Sequence, residues 1–306
     1  MKKLIWLLPV TAGIMWGSIG VFIRALSERG MDSSTVVESR VSLAALMLLV
    51  GLAVYDKKLL RVRLKDLWIF AAAGLIGMLG LNISYNEAVS HLHLSLAAVL
   101  LSMSPVFVLV LAAIFFKEKI TGKKAGCAFL AIFGCTLASG LLESLTGMEI
   151  SAFGMAVGVA SGLFYALYSI FTKAAMERGY SGLTITFYSM AVVAVVLLPF
   201  TDWGQIGAFY AEKPVSNTVF MLLHALCGSV LPYALYTVAI QFMEAGKVSI
   251  LAAGEPVAAM VFGIFFFSEV PTPLEFVGMA ITVAAIILLG MPERKKVLGR
   301  TALPDR

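Results

Sequence analysis

Charged residues are scarce in this sequence, and so are cysteine and histidine. Only 13% of the 306 residues are Asp, Glu, Lys or Arg, whereas soluble domains have about 25%. This shortage of charge excludes an ordinary soluble domain with a solvated surface. The three cysteines, Cys127, Cys135 and Cys227, form no CxxC pair and have no histidine at the spacing of a metal site. We therefore expect no metal and interpret the cysteines as packing residues.

The motifs of several enzyme classes are also absent. The sequence contains no GxSxG, HExxH or GxxxxGKS/T motif, and no two carboxylates have a spacing that indicates a catalytic pair. The missing P-loop excludes an ATPase within this chain. We expect no catalytic residue and no cofactor, although an intramembrane enzyme stays open as an alternative from another functional class.

Apolar residues dominate the sequence instead. They make up 60% of it, the mean hydropathy is +0.95, and they form blocks of roughly 20 residues, the length at which a helix crosses a hydrocarbon layer of about 30 Å. The predicted spans are 4–26, 35–55, 67–88, 94–116, 125–142, 151–173, 182–200, 219–242, 248–267 and 274–291. The pattern predicts an all-α integral membrane protein with ten transmembrane helices.

The basic residues indicate how the chain crosses the membrane. Most of the 23 Lys and Arg residues lie in alternate connections between the spans, so the positive-inside rule places both termini in the cytoplasm. The net charge of +5 is thus interpreted as topology, and no nucleic acid is expected as a partner. We expect a multi-pass protein of a bacterial cytoplasmic membrane. Its longest outer connection, 201–218, is expected to rest on the headgroups through Trp203, Phe209 and Tyr210.

The chain resembles itself at an offset of about 150 residues, which is a sign of internal duplication. At an offset of 149, the matches of Gly13, Phe22, Arg24, Ala25, Glu28, Arg29 and Gly30 are Gly162, Phe171, Lys173, Ala174, Glu177, Arg178 and Gly179. At an offset of 151, the matches of Gly77, Tyr85, Ala88, Pro105, Val106, Val110, Phe115, Phe116, Glu118 and Thr121 are Gly228, Tyr236, Ala239, Pro256, Val257, Val261, Phe266, Phe267, Glu269 and Thr272.

The repeat divides the chain into residues 1–146 and 147–306, each with five predicted spans. Because five is an odd number, the second half must cross the membrane in the opposite direction to the first. The predicted fold is therefore two inverted five-helix repeats. Inverted repeats are typical of alternating-access carriers, whose substrate site lies near the membrane midplane between the halves.

Four sequence runs carry a family resemblance. They are Trp16-Gly17-Ser18 in the first span, Arg40 followed by Leu43-Ala44-Ala45 in the second, Ser95-Leu96-Ala97-Ala98 through Ser104-Pro105 to Glu118 in the fourth, and Glu255-Pro256 to Glu269 in the ninth. In this order the runs resemble the EamA-type transporters of the drug/metabolite transporter superfamily. The resemblance implies a ten-helix secondary carrier, often an exporter of amino acids or related metabolites, and it does not name the substrate.

The repeat and the resemblance together favour a secondary active transporter. We expect an exporter or exchanger that carries small polar metabolites, such as amino acids or amines, by alternating access. Its expected partners are a small-molecule substrate, the lipid bilayer and, as a candidate coupling ion, a proton. A channel and a multidrug or cation efflux carrier stay open as alternatives. Transport direction and the choice between monomer and homodimer are also open.

Six residues are candidates for gating. Pro105 and Pro256 lie near the middle of the fourth and ninth spans, where a proline removes a backbone hydrogen bond and bends a helix. The other four are two basic and two acidic residues in the outer third of the first three spans: Arg24, Glu38, Arg40 and Glu87. We expect these four to form a neutral cluster that acts as an extracellular gate; the alternatives are a static network of ion pairs and side chains that snorkel from the span ends. For the prolines, a purely structural kink is the alternative.

Nine residues are candidates for substrate contact. Glu255 lies in an otherwise apolar run, where a carboxylate costs about 2.5 to 3.5 kcal/mol to insert. We expect it to bind an ammonium group or to carry a coupling proton; the alternative is a structural glutamate that caps a kinked helix or forms an ion pair. The other eight are aromatic or amide residues: Trp16, Asn82, Tyr85, Asn86, Tyr165, Tyr168, Tyr233 and Tyr236. Aromatic walls with a few polar groups are typical of small-molecule sites and offer cation–π attraction to an amine, but simple packing is the alternative.

Three other polar residues are not among the candidates for binding. Glu118 and Glu269 fall at span ends, where a carboxylate can be solvated. His224 is alone in its span and has no second ligand at a metal-binding spacing.

Overall fold

The computed structural model describes residues 4–92, 94–144, 151–268 and 270–291, and in these ranges its regular structure is entirely helical. The first half contains α1 (Leu7–Gly17), α2 (Ile19–Ser27), α3 (Ser33–Tyr55), α4 (Leu67–Ala71), α5 (Gly80–His91), α6 (Leu94–Leu101), α7 (Ser104–Phe116), α8 (Gly122–Ala138) and α9 (Leu141–Ser144). The second half contains α10 (Ala152–Glu177), α11 (Gly182–Leu197), α12 (Trp203–Glu212), α13 (Pro214–Ala225), α14 (Leu231–Phe242), α15 (Ala245–Ala252), α16 (Glu255–Phe267) and α17 (Pro273–Gly290). The basic residues of the two termini, and Glu269, lie outside the described ranges.

Nine helical segments in the described ranges are long and apolar enough to cross a membrane. They are Leu7–Ser27, Ser33–Tyr55, Leu64–His91, Leu96–Phe116, Ala152–Glu177, Gly182–Phe200, Pro214–Phe242, Ala245–Phe267 and Pro273–Gly290. The predicted fifth span, 125–142, overlaps α8, a helix of 17 residues and thus about 26 Å long. The count of ten transmembrane helices stays a prediction.

Large apolar side chains are exposed on the outer faces of these helices. Ile114, Phe129 and Phe265 are 66%, 69% and 80% exposed. Exposed apolar surface of this kind is unfavourable in water but suits a hydrocarbon environment. The surface therefore agrees with the prediction of an all-α membrane protein.

The two halves contain matching helices. α5, α6 and α7 have 12, 8 and 13 residues, and α14, α15 and α16 have the same lengths. The helices α7 and α16 are followed by Lys117 and Ser268, whose φ angles are 56° and 55°. Non-glycine residues rarely adopt this left-handed conformation, so the resemblance between the two helix ends is specific. The opposite orientation of the halves in a membrane, with their boundary at residue 146, stays a prediction.

The helices α1 and α10 each pack against at least three helices of the other half. α1 packs against α14, α15 and α16, while α10 packs against α5, α6 and α7. Glycine permits this close packing on α1, because a Cβ atom at Gly13 would lie 2.4 Å from the carbonyl oxygen of Ala252. At Gly17, a Cβ atom would lie 2.7 Å from the carbonyl oxygen of Glu255. Small residues at such crossings let membrane helices approach each other closely.

The connection between residues 201 and 218 contains α12 and packs more deeply than predicted. Phe209 is only 5% exposed and clusters with Leu26 and Val36, so the expected headgroup contact is wrong for this residue. The physical reason is that α12 folds back against α3 and α13, which buries one face of it. Trp203 stays 55% exposed on the same helix.

Candidate substrate site

Five of the predicted aromatic residues lie together where the two halves cross. This group, here called the aromatic box, consists of Trp16, Tyr165, Tyr168, Tyr233 and Tyr236. The ring centroid of Trp16 lies 5.2 Å from that of Tyr233 and 5.4 Å from that of Tyr236. The Trp16 and Tyr165 centroids are 6.0 Å apart, and those of Tyr168 and Tyr233 are 5.4 Å apart. Most of these pairs meet edge to face, the geometry that aromatic quadrupoles favour.

Phenolic hydroxyl groups give the aromatic box hydrogen-bonding capacity. The hydroxyl of Tyr236 lies 2.8 Å from Ser169 Oγ, which ties α14 to α10. The hydroxyl of Tyr168 is buried beside the side chains of Thr172 and Thr186. Polar groups of α10 and α11 therefore lie next to the aromatic rings of the box.

Two turns interrupt the fourth and ninth spans, and both predicted prolines lie directly after them. Residues 102–103 separate α6 from α7, and residues 253–254 separate α15 from α16. Pro105 and Pro256 are then the second residues of α7 and α16, where a backbone N–H would have no intrahelical partner in any case. The prolines therefore cost no hydrogen bond inside a continuous helix, contrary to the expectation, and the bend and its role in gating stay predictions.

A side chain from another helix satisfies one backbone carbonyl of the turn in the ninth span. The carbonyl of Ala253 accepts a hydrogen bond from the Cys135 thiol at 3.4 Å. Cys135 is 1% exposed, so it packs as expected and also satisfies a carbonyl that the turn releases from the helix. This second role was not predicted.

Glu255 is the first residue of α16, so it does not lie within a continuous helix. Its carboxylate therefore faces the positive end of a helix macrodipole, which favours a negative charge. It is half-buried and makes no hydrogen bond or ion pair within the described residues. Tyr85, Tyr165 and Tyr233 lie within electrostatic range of it. A carboxylate without a counter-ion beside an aromatic wall can bind an ammonium group.

The predicted polar face of the third span contributes less than expected. Asn82 donates its side-chain N–H to the carbonyl of Met78 on its own helix, at 2.7 Å. Asn86 is exposed. Only Tyr85 of these three is connected with the aromatic region, through its electrostatic interaction with Glu255. The i, i+3, i+4 spacing placed the three residues on one face without specifying what that face contacts.

Three of the four charged residues predicted to form a neutral cluster contact groups outside that cluster. Arg24 pairs with Glu28 at 3.5 Å and lies over the ring of Phe267 at 4.0 Å. Glu87 lies 3.0 Å from His91 Nε2, on an exposed surface. Glu38 is fully buried and accepts a hydrogen bond from Ser42. The fourth, Arg40, is 6% exposed, and its Nε has no partner among the described residues.

Arg40 instead meets His224, a residue that the sequence did not single out for binding. A Cβ atom at Gly228 would lie 3.3 Å from Arg40 Cδ and 3.4 Å from His224 Cδ2, which places both side chains beside the same backbone. Gly228 belongs to a π-helical segment, Leu226–Val230, that packs against α3. Segments of this kind occur frequently at functional sites.

Glu118 is buried, which contradicts the expectation of a solvated span end. It accepts hydrogen bonds from Lys173 and from the backbone N–H groups of Ala245, at 2.8 Å, and Gly246, at 3.3 Å. These four residues, here called the cytoplasmic latch, join α7, α10 and the N-terminus of α15. A carboxylate at a helix N-terminus is favoured by the macrodipole. In the repeat, Arg24 matches Lys173 and Glu118 matches Glu269. A basic and an acidic residue at matching places of both halves could have indicated that Glu118 is paired.

The latch is reinforced on the same side of the bundle. Lys124 pairs with Glu244, the residue before α15. Nearby, Asp66 pairs with Arg178 at 3.1 Å and accepts a hydrogen bond from the Tyr180 hydroxyl at 2.7 Å. The positive-inside rule predicts that this side is cytoplasmic. On it the two halves are held together by several polar contacts.

Two open clefts of about 340 and 360 Å³ lie at this same end of the molecule. Their walls include Arg61, Arg63 and Arg178. Neither cleft is lined by a residue of the aromatic box, so neither is taken as the substrate site.

Relatives of known name cover most or all of the chain. The "Probable terminal-alkyne amino-acid exporter" of Streptantibioticus cattleyicolor is 27% identical over 303 residues, which are 98% of this chain and 96% of that protein. The "Uncharacterized inner membrane transporter YicL" of Salmonella typhimurium is 22% identical over 288 residues, 93% and 94% of the two chains.

The fold also has a counterpart among solved structures. A crystal structure with 12% sequence identity superposes with a TM-score of 0.74, and the match covers 93% of this chain and 95% of the other. At this identity the likeness concerns the fold alone. The sequence model of the EamA-like transporter family matches residues 2–140 and 152–291. The protein is therefore a multi-span membrane protein that belongs to the EamA-like transporter family.

Proposed function

We propose that this transporter is a secondary carrier that exports or exchanges amino acids or related amines by alternating access. The observation that carries the proposal is Glu255, a carboxylate at the start of a half-helix. It has no counter-ion among the described residues and lies in electrostatic range of tyrosines of the aromatic box. In transporters, half-helix N-termini near the midplane face anionic groups, whereas unwound carbonyls and half-helix C-termini coordinate cations. At the junction of α15 and α16, the group that attracts a cation is therefore the Glu255 carboxylate together with the end of α15. An ammonium group would be attracted by the carboxylate and by the aromatic faces together.

The cytoplasmic latch supports the alternating-access part of the proposal. Glu118 and Lys173 come from different halves, and their carboxylate and ammonium hold α7 and α10 against α15. On the opposite side, the repeat-related Arg24 lies over Phe267, as Lys173 lies over Phe116 at 4.8 Å. One such set at each end is what a carrier needs to close one side while the other opens.

A multidrug or cation efflux carrier is the second candidate. Glu255 beside aromatic rings would also attract an organic cation that has no carboxylate. The two candidates differ in whether a carboxylate on the substrate improves transport. The exporter name of the Streptantibioticus relative supports amino acids over other cations.

Counterflow in proteoliposomes tests the proposal. Purified protein is reconstituted in vesicles preloaded with one of the twenty unlabelled L-amino acids or with its decarboxylated amine, and uptake of the same labelled compound is followed. We expect saturable uptake that preloading accelerates and that needs no ATP. Flux that does not saturate would indicate a channel, and a chemically changed compound without translocation would indicate an enzyme. Either result would refute the proposal.

A further inference from the structure

We propose that Arg40 and His224 form a subsite for the carboxylate of the substrate, separate from the ammonium site at Glu255. This inference rests on the proposed function, because it assumes an amino acid as the substrate class. It assigns Arg40 to binding, where its charge and span position had suggested a gate.

Arg40 is a buried cation without a counter-ion. It is 6% exposed, its Nε lacks a hydrogen-bond partner, and it makes no ion pair within the described residues. A charge in this position is unfavourable unless something pairs with it. The guanidinium group offers a planar fork of N–H donors that matches a carboxylate in two-point geometry. An anion from outside the protein would therefore complete the site.

His224 adds further unused donor capacity beside Arg40. It is 0% exposed, and neither ring nitrogen has a partner among the described residues. Its ring stacks on Phe22, with centroids 5.0 Å apart and an interplanar angle of 13°, which fixes its orientation. A neutral imidazole always carries one N–H, so His224 can donate to an anion that Arg40 holds.

Within the described residues, no acidic side chain pairs with Arg40. Glu38 is the acidic residue closest to Arg40 in sequence, but residues two apart on a helix do not face each other. Its carboxylate accepts a hydrogen bond from Ser42, in the next turn of the same helix. Glu28 and His91 engage the other charged residues of the outer third, Arg24 and Glu87.

Tyr233 interacts electrostatically with both Arg40 and Glu255, neither of which has a counter-ion among the described residues. Its ring packs on Trp16 of the aromatic box. A positive and a negative group that both interact with this tyrosine complement a zwitterion. An amine without a carboxylate would satisfy only one of them.

The test compares an amino acid with its primary amide, which keeps the side chain and the ammonium group but has no negative charge. Each of the twenty L-amino acids is first screened for counterflow with the wild-type protein in proteoliposomes. Those that exchange are then compared with their amides in Arg40→Gln, Arg40→Lys and His224→Gln. Arg61→Gln, the same substitution at an exposed position, is the matched control.

We expect Arg40→Gln to weaken the apparent affinity for the amino acid by roughly ten- to a hundred-fold, which is the effect of losing a charge-assisted contact. The apparent affinity for the amide should stay unchanged. His224→Gln should reduce the same preference to a smaller extent, and Arg40→Lys should retain part of it. Equal losses for acid and amide in Arg40→Gln, or a wild type that treats acid and amide alike, would overturn the inference. A wild type that exchanges no amino acid and no amide would refute the proposed function, and the inference with it.

Thermal unfolding of the ligand-free variants separates binding from a structural role. If Arg40 is paired only when an anion binds, the ligand-free protein contains an uncompensated buried charge, which is destabilising. Removing this charge should therefore leave the melting temperature unchanged or raise it. A melting temperature lowered by several degrees in both Arg40→Gln and His224→Gln, or failure of both to fold, would identify the pair as structural and contradict the inference.

Discussion

Glu255 combines three features that are unusual together in one residue of a membrane protein. It is acidic, it begins a half-helix, and it has no ion-pair partner in the described part of the chain. The matching residue of the first half is Ser104, which begins α7 in the same way. The halves therefore share a helix start but differ in charge there, which gives the site a polarity that the repeat alone would not produce.

Replacing Glu255 by glutamine should keep the shape of the site and remove its charge. If the carboxylate binds an ammonium group, the apparent affinity or turnover in counterflow should fall roughly ten- to a hundred-fold. If it carries a coupling proton instead, exchange should survive while transport driven by a pH gradient disappears. Glu212→Gln, at an exposed position of α12, should behave as wild type. A folded Glu255→Gln protein with wild-type kinetics and pH dependence would make Glu255 a structural residue.

The helix α1 depends on a close crossing that glycine makes possible. A Cβ atom at Gly13 would lie 2.4 Å from the carbonyl oxygen of Ala252, at the end of α15. Backbone atoms move away less easily than the tip of a flexible side chain. The crossing therefore fixes where α1 meets the turn before Glu255, and thereby the distance between Trp16 and the α16 half-helix.

Gly13→Ala should consequently destabilise the protein by about 1 to 3 kcal/mol, the range for overpacked interiors, and should lower the melting temperature in detergent. Gly51→Ala is the matched control, because a Cβ atom there meets nothing within 4 Å. The control should be neutral or more stable by up to about 1 kcal/mol, since alanine favours helix more than glycine does. Equal melting temperatures for the two variants would mean that α1 and α15 adjust freely.

How much the sequence predicted depends on the kind of contact. The aromatic box was predictable because its residues lie at matching places of a repeat, and the repeat brings those places to the interface of the halves. The meeting of Arg40 with His224 was not, because it requires α3 to pack on the π-helical segment Leu226–Val230. The burial of Glu118 likewise follows from the docking of α15, which span boundaries do not specify.

At the scale of the whole molecule, the cytoplasmic latch and the aromatic box form successive layers between the predicted cytoplasm and the centre. Glu118 and Lys173 make the latch, and Ser169, one helical turn before Lys173 on α10, binds Tyr236 of the box. Opening the latch should therefore admit water and reagents to Ser169 first. The rate at which a reagent reaches Ser169 therefore measures how often the latch opens.

The final prediction concerns that rate. In a protein whose native cysteines are replaced, Ser169→Cys should react slowly with a membrane-impermeant maleimide applied to the cytoplasmic face of inside-out vesicles, because Ser169 is 0% exposed. Adding Glu118→Gln should speed labelling several-fold, since a buried ion pair that loses one partner is strongly destabilised. Lys173→Gln should act in the same way, and the double variant should add little to either one, because both remove the same interaction.

Glu212→Gln is the control on the other side of the membrane. Labelling rates that stay at the starting value in both single variants would show that the latch does not control access, while faster labelling from the outer face would reverse the predicted topology.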